Sequence, residues 1–166
     1  MVPSSKIWKR LENAVHLLGK QANNMELSNS QLGRLGETAV AMELMKRGYD
    51  VINLNDSISN FKSADLLCIK DGKSFFVQVK TGTEHNILTG LTSTPDGVIK
   101  DFDDKIVCPW VFVKVTPIND IDYNFDFYIL SKDDTKALIS SSNDWYANKW
   151  GRTLKGNILV GVEVKW

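Results

Sequence analysis

The stretch FFVQVKTGT, residues 75–83, places an amide and an ammonium, Gln78 and Lys80, in what otherwise reads as a core β-strand. Side chains alternate along a strand, so Phe75, Val77 and Val79 share one face while Phe76, Gln78 and Lys80 share the other. Polar heads on a covered sheet need a partner or a purpose. Asp65 opens the preceding run ADLLCIK, residues 64–70, and the turn Asp71-Gly72-Lys73 joins that run to the Gln78 strand. In such a hairpin, positions near 65 and near 78 become cross-strand neighbours, which brings Asp65, Gln78 and Lys80 to a common point. A second acid, Glu37, lies in QLGRLGETAVAMELMKRG, residues 31–48. At about 100° per residue, Gly33, Glu37, Val40, Ala41 and Leu44 fall on one inward-looking stripe. A carboxylate there is costly unless it is paired or bound to a cation.

Positioning these groups requires a helix and a hairpin. Residues 5–20 space Ile7, Trp8, Leu11, Ala14, Val15 and Leu18 as an amphipathic N-terminal helix that ends near Gly19. Ser28, Asn29 and Ser30 offer N-caps for a second helix that runs to Arg47, with Gly48 as its stop signal. Met25 can serve as a start, so residues 1–24 read as a helical appendage and 25–166 as a single domain. Three β-rich runs follow at 49–55, 64–70 and 74–81, and Asp71-Gly72 marks the hairpin between the last two. Residues 82–107 lack clear periodicity and read as a long loop. Strands at 110–116 and 126–131, one or two short helices within 132–150 and a final strand NILVGVEVKW complete the chain. This order describes an α/β fold with a central mixed sheet flanked by helices.

The chain has 166 residues, 43% of them hydrophobic and 24% charged, enough apolar material for one core. No apolar run approaches the roughly 18 residues of a membrane span, and MVPSSKIWKR lacks a secretory pattern, so the expectation is a cytoplasmic protein with no membrane association. Cys68 and Cys108 sit in apolar runs and read as small core residues. The charge is balanced, 20 Lys plus Arg against 20 Asp plus Glu, which gives no basic surplus for nucleic acid. Residues 84–126 are frankly acidic, holding eight acids against Lys100, Lys105 and Lys114.

Glu37 on a helix, Asp65 at a strand start and Gln78-Val79-Lys80 on the next strand resemble the PD-(D/E)XK nuclease superfamily, in the variant where Gln replaces the acid before x-Lys. Over about a third of the chain, residues 31–83, the sequence looks like its small prokaryotic endonuclease-like members. The resemblance implies a restriction-endonuclease-like αβββ-type core and a DNA endonuclease that uses Mg²⁺ or Mn²⁺. It further implies that Asp65 ligates the metal directly, Gln78 through its side-chain carbonyl, Val79 through its backbone carbonyl and Glu37 through water. Lys80 then orients or deprotonates the attacking water, and a homodimer addresses two strands. The sequence departs from the pattern in three ways: Ala64 stands in place of the frequent Pro, Gln78 removes one negative charge, and no basic helix follows Thr81.

Each residue also has a plainer reading. Asp65 can terminate a strand, Lys80 can snorkel at a strand end, and Glu37 can pair with Arg34 or Lys80. The competing function is a catalytically inactive nuclease-fold module that binds DNA or a protein partner. Glu163-Val164-Lys165 matches acid-x-Lys but reads as a terminal strand, His85 as a loop residue, and Trp110, Trp145 and Trp150 as core or helix-packing residues.

Overall fold

A computed structural model describes residues 27–57, 63–84, 86–94, 96–119, 122–150 and 157–161. The expected N-terminal helix over 5–20, His85 and the Glu163-Val164-Lys165 segment lie outside the described residues. Helix α1 (Asn29–Lys46) begins at a capping box: the Ser28 hydroxyl accepts from the Gln31 N–H at 3.3 Å and the Gln31 side chain accepts from the Ser28 N–H at 2.9 Å. It ends in a Schellman arrangement, with Tyr49 N–H on Leu44 C=O and Gly48 N–H on Met45 C=O. Gly48 supplies the positive φ, +80°, that this stop requires.

The chain continues through β1 (Asp50–Asn53), the one-turn α2 (Leu54–Ser57), β2 (Leu66–Lys70), β3 (Lys73–Gly82) and β4 (Asn86–Thr92). Then come α3 (Phe102–Lys105), β5 (Trp110–Pro117), β6 (Tyr123–Leu130), α4 (Lys132–Trp150) and β7 (Asn157–Gly161). Five strands form a mixed sheet in the order β1-β2-β3-β5-β6, antiparallel except where β3 runs parallel to β5. The fold is thus α/β, and its helix-then-three-strand opening matches the expectation. Asp71 and Gly72, with φ of 50° and 71°, form the two-residue primed turn that fixes Lys70 opposite Lys73. That register in turn sets Leu66 opposite Val77.

One sheet face packs beneath α1, where Val40 and Ala41 meet Leu66, Cys68, Val77, Val79, Val111, Val113 and Val115. The other face carries Trp110, Phe112 and Leu130 against Ile87 and Leu91 of β4, Ile106, and Ile139 of α4. Residues 82–107 are therefore not a long loop: β4 pairs antiparallel with β7 as a separate two-stranded sheet, and α3 follows. Its alternation of Ile87, Thr89 and Leu91 was hidden because the buried middle residue is a threonine and the partner strand is far along the chain. The segment after β6 is one helix of 19 residues, longer than the one or two short helices expected. Its buried stripe of Thr135, Ile139 and Asn143 is two-thirds polar, which obscured the period. Both polar groups are satisfied, Thr135 by Ser131 C=O at 2.7 Å and Asn143 by Gly97 C=O at 3.0 Å. Trp110 is core as expected, whereas Trp145 is 52% exposed on the outer face of α4. Among the described residues no helix is long and apolar enough to cross a membrane.

Both cysteines are buried free thiols, each pushed by burial to a pKa of about 11, in keeping with packing residues. The contact of α1 with β3 depends on Gly36, where a Cβ would lie 2.0 Å from Thr81 Oγ1 and 2.9 Å from Thr81 Cβ. Gly36→Ala should therefore cost about 1–3 kcal/mol of unfolding free energy, despite its better helix propensity, as read from urea denaturation; a neutral or stabilising change would show that the helix is not seated this closely.

Candidate functional site

The pairing of β3 changes partner at its midpoint. Lys73 to Val77 pair with β2, and Gln78 to Gly82 pair with β5. Strand β2 begins only at Leu66, so the edge of β3 beyond Val77 loses its backbone neighbour on that side. Asp65 N–H still reaches Val77 C=O at 2.9 Å, but the next inward-facing donor, Val79 N–H, is met by the Asp65 carboxylate Oδ2 at 2.7 Å. A side chain thus takes the place of a missing ladder bond. The Val79 C=O points to the same edge as its N–H.

Around this edge the amides gather on two carboxylates. Gln78 Nε2 also donates to Asp65 Oδ2. Asn55 Nδ2 donates both to Asp65 Oδ1 at 3.0 Å and to Glu37 Oε1 at 3.2 Å, and Asn53 Nδ2 donates to Glu37 Oε2 at 3.0 Å. Asp65 and Gln78 are buried, at 8% and 7% exposure, and Glu37 is half-buried. Asp65, Gln78 and Val79 therefore come together as the hairpin register requires. Glu37 joins them through Asn55.

Two details differ from the sequence-based expectation. The buried stripe of α1 is centred on Gly36, Val40 and Ala41, and Glu37 lies at its margin. From there its carboxylate reaches over the end of β1 instead of pointing into the apolar layer. Gln78 presents its nitrogen to Asp65, so the carbonyl expected to face a cation is the opposite end of the same amide, and a half-turn exchanges them. The plain pairing of Glu37 with Arg34 is not adopted: Arg34 extends to Asp56 at 2.8 Å on an exposed surface.

Lys80 projects from the face of β3 opposite α1. Its Nζ lies 5.4 Å from the centroid of the Trp110 ring and 3.8 Å from where a Cβ on Gly90 would stand. Gly90, at φ +76°, lets β4 pass close to the ammonium. Burial pushes the Lys80 pKa below the ordinary lysine value, the charges of Asp65 and Glu37 draw it back up, and that of Lys105 lowers it further. Among the described residues Lys80 makes no ion pair, and neither do Glu37 and Asp65. The cluster is two carboxylates held by neutral amides, with one buried ammonium nearby.

The donors are all hard oxygens: two carboxylates, amide carbonyls and the Val79 C=O. That set suits Mg²⁺ or Mn²⁺, which accept few carboxylates and keep waters. Among the described residues no group of three or more His, Cys, Asp and Glu side chains converges, so a zinc-type cage does not form there. Sequence reasoning missed Asn53 and Asn55. Their signal was the Asn-x-Asn spacing at the end of YDVINLN, which an Asx turn, Asn55 N–H on Asn53 Oδ1 at 2.9 Å, stabilises.

No protein-family model and no curated protein matches the chain. Among solved structures it is similar to a bacterial homing endonuclease at 18% identity, covering 65% of this chain and 68% of that one with a TM-score of 0.41.

The lowered Lys80 pKa has a measurable consequence. Between the folded value and 10.5 the unfolded chain binds the extra proton, so stability rises with pH across that interval and the full penalty is present below it. Lys80→Met should raise the thermal midpoint at pH 7 by about 2–4 °C, and the advantage should shrink as the pH climbs toward 10.5. A pH-independent difference would show that the ammonium is not desolvated.

Proposed function

We propose that the protein is a metal-dependent endonuclease that hydrolyses DNA phosphodiester bonds with Mg²⁺ or Mn²⁺. The observation that carries this reading is the convergence of Glu37 and Asp65 on one point, with no ion pair among the described residues, beside the free edge of β3 and the buried Lys80. In this reading Asp65 would hold the cation directly and Glu37 through water, with Gln78 turned to offer Oε1 and Val79 its backbone carbonyl. The bound cation supplies an acidified water and positive charge for the phosphate oxygens.

The chain's own residues do the rest. Packed against Trp110 and Gly90, the Lys80 side chain is held in one direction, and its lowered pKa leaves more of the amine in the neutral form, the form able to take a proton from a water at Nζ. When protonated, the same group stabilises negative charge developing on phosphate. Lys105, paired with Asp101 at 3.7 Å, lies close enough to depress Lys80 slightly. Asn53 and the Asp65 contact to Val79 N–H hold the two carboxylates in place, so the rearrangement on binding falls on the amides of Gln78 and Asn55.

A second reading is favoured by one feature, the neutral Gln78 in place of a third carboxylate. With two charges instead of three, the site would bind a divalent cation weakly, and the same fold would serve as an inactive module that binds DNA or a protein partner. Nicking of supercoiled plasmid in Mg²⁺ or Mn²⁺ separates the two. The expected outcome is cation-dependent cleavage that falls by about 100-fold or more in Asp65→Ala and in Lys80→Ala. Binding without cleavage would establish the second reading, and equal cleavage by wild type and both variants would trace the activity to a contaminant.

A further inference from the structure

Asn55 occupies the point on which the two carboxylates converge. Its single amide nitrogen carries two N–H groups, one directed to Glu37 Oε1 at 3.2 Å and the other to Asp65 Oδ1 at 3.0 Å. Nothing in the local turn calls for this. The Asx turn uses the side chain of Asn53 and only the backbone N–H of Asn55. Buried Leu54, 7% exposed and packed with Ala64 and Cys108, fixes the backbone between the two asparagines. The Asn55 side chain itself is exposed, so it can swing outward without uncovering apolar surface.

An amide NH₂ satisfies two carboxylate oxygens but carries no net charge, so it bridges the acids without neutralising them. A divalent cation does both, and it would use the same oxygen lone pairs. We infer that Asn55 is a placeholder for the cation: its amide holds Glu37 and Asp65 together and must be displaced before they can ligate a metal, so it sets the affinity of the site. The inference rests on the metal-dependent reading above and adds to it a positioning residue outside the Glu37, Asp65, Gln78, Lys80 series. The hydrogen bonds Asn55 makes to ionised groups are lost on cation binding, and that loss weakens the apparent affinity.

Removing the placeholder should therefore tighten binding, which is the reverse of what loss of a ligand or of a structural support would do. Mn²⁺ titration of the chelator-treated full chain, followed by calorimetry and by water-proton relaxation, provides a readout independent of cleavage. Asn55→Ala should bind Mn²⁺ about tenfold more tightly than wild type, the factor expected from losing one to two such hydrogen bonds only in the cation-free protein. Its thermal midpoint should fall below wild type in chelator and rejoin it at saturating Mn²⁺. Asn55→Asp, which places a third carboxylate at the same point, should bind more tightly still, and it serves as the test if Asn55→Ala does not fold. Saturable binding by wild type with equal or weaker binding by Asn55→Ala, or unchanged binding by Asn55→Asp, would overturn the placeholder and leave the metal site standing. Absence of saturable Mn²⁺ binding by wild type and by both Asn55 variants would overturn the metal-dependent reading and this inference with it.

Discussion

The site depends on a hydrogen bond that a strand fails to make. Strand β2 stops one residue short of covering the middle of β3, and the carboxylate of Asp65 takes up the Val79 N–H in place of the absent backbone. A backbone donor buried at a sheet edge must be paired, so Asp65 is fixed in position by the same bond that closes the ladder. The adjoining Val79 carbonyl and the Gln78 side chain are then brought to the same edge. On the other side, β5 takes over the pairing of β3 from Gln78 onward, so the local opening does not weaken the sheet.

Holding a second carboxylate beside the first requires a scaffold without cations. Asn53, Asn55 and Gln78 provide it: each carboxylate oxygen of Glu37 and Asp65 accepts at least one hydrogen bond from an uncharged amide. Among the described residues the basic side chains of α1 and its cap are engaged elsewhere, Arg34 with Asp56, and Lys46 and Arg47 with Glu43. These exposed pairs contribute little to stability. Their effect on the site is indirect, because they do not pair with its carboxylates. Amides satisfy geometry and leave charge, so the cluster keeps an electrostatic preference for a cation that an arginine pair would have quenched.

The second layer explains how an ammonium comes to lie in the core. Strand β4 crosses behind β3, and Gly90, lacking a side chain, lets it approach the Lys80 nitrogen while Trp110 covers it from within the sheet. Among the described residues the buried Trp110 indole N–H has no hydrogen-bond partner. An enclosed ammonium with no ion pair is unfavourable for folding, and its lowered pKa records that cost.

Much of this was legible in the sequence where the determining contacts are local. Ser28 and Gln31 specify the start of α1, Gly48 its end, and Asp71-Gly72 the turn; because a two-residue turn fixes the register, the meeting of Asp65 with Gln78 follows from the sequence alone, whereas the Asp65 contact to the Val79 N–H does not. The cysteines and Trp110 were equally readable as core. Tertiary structure alone decided the rest. Pairing of β4 with β7 joins segments far apart in the chain; β7 lies within the run NILVGVEVKW that reads as a strand, whereas β4, with Thr89 at its buried centre, did not declare itself. Glu37 was visible as an acid on a helix, but its union with Asp65 passes through Asn55, whose role depends on how α1 lies across the end of β1. Local periodicity specifies which way a side chain leaves its own element. Which groups meet there is set by packing between elements, and a single residue such as Gly36, small enough to let α1 down onto Thr81, carries that information without any pattern a sequence could show.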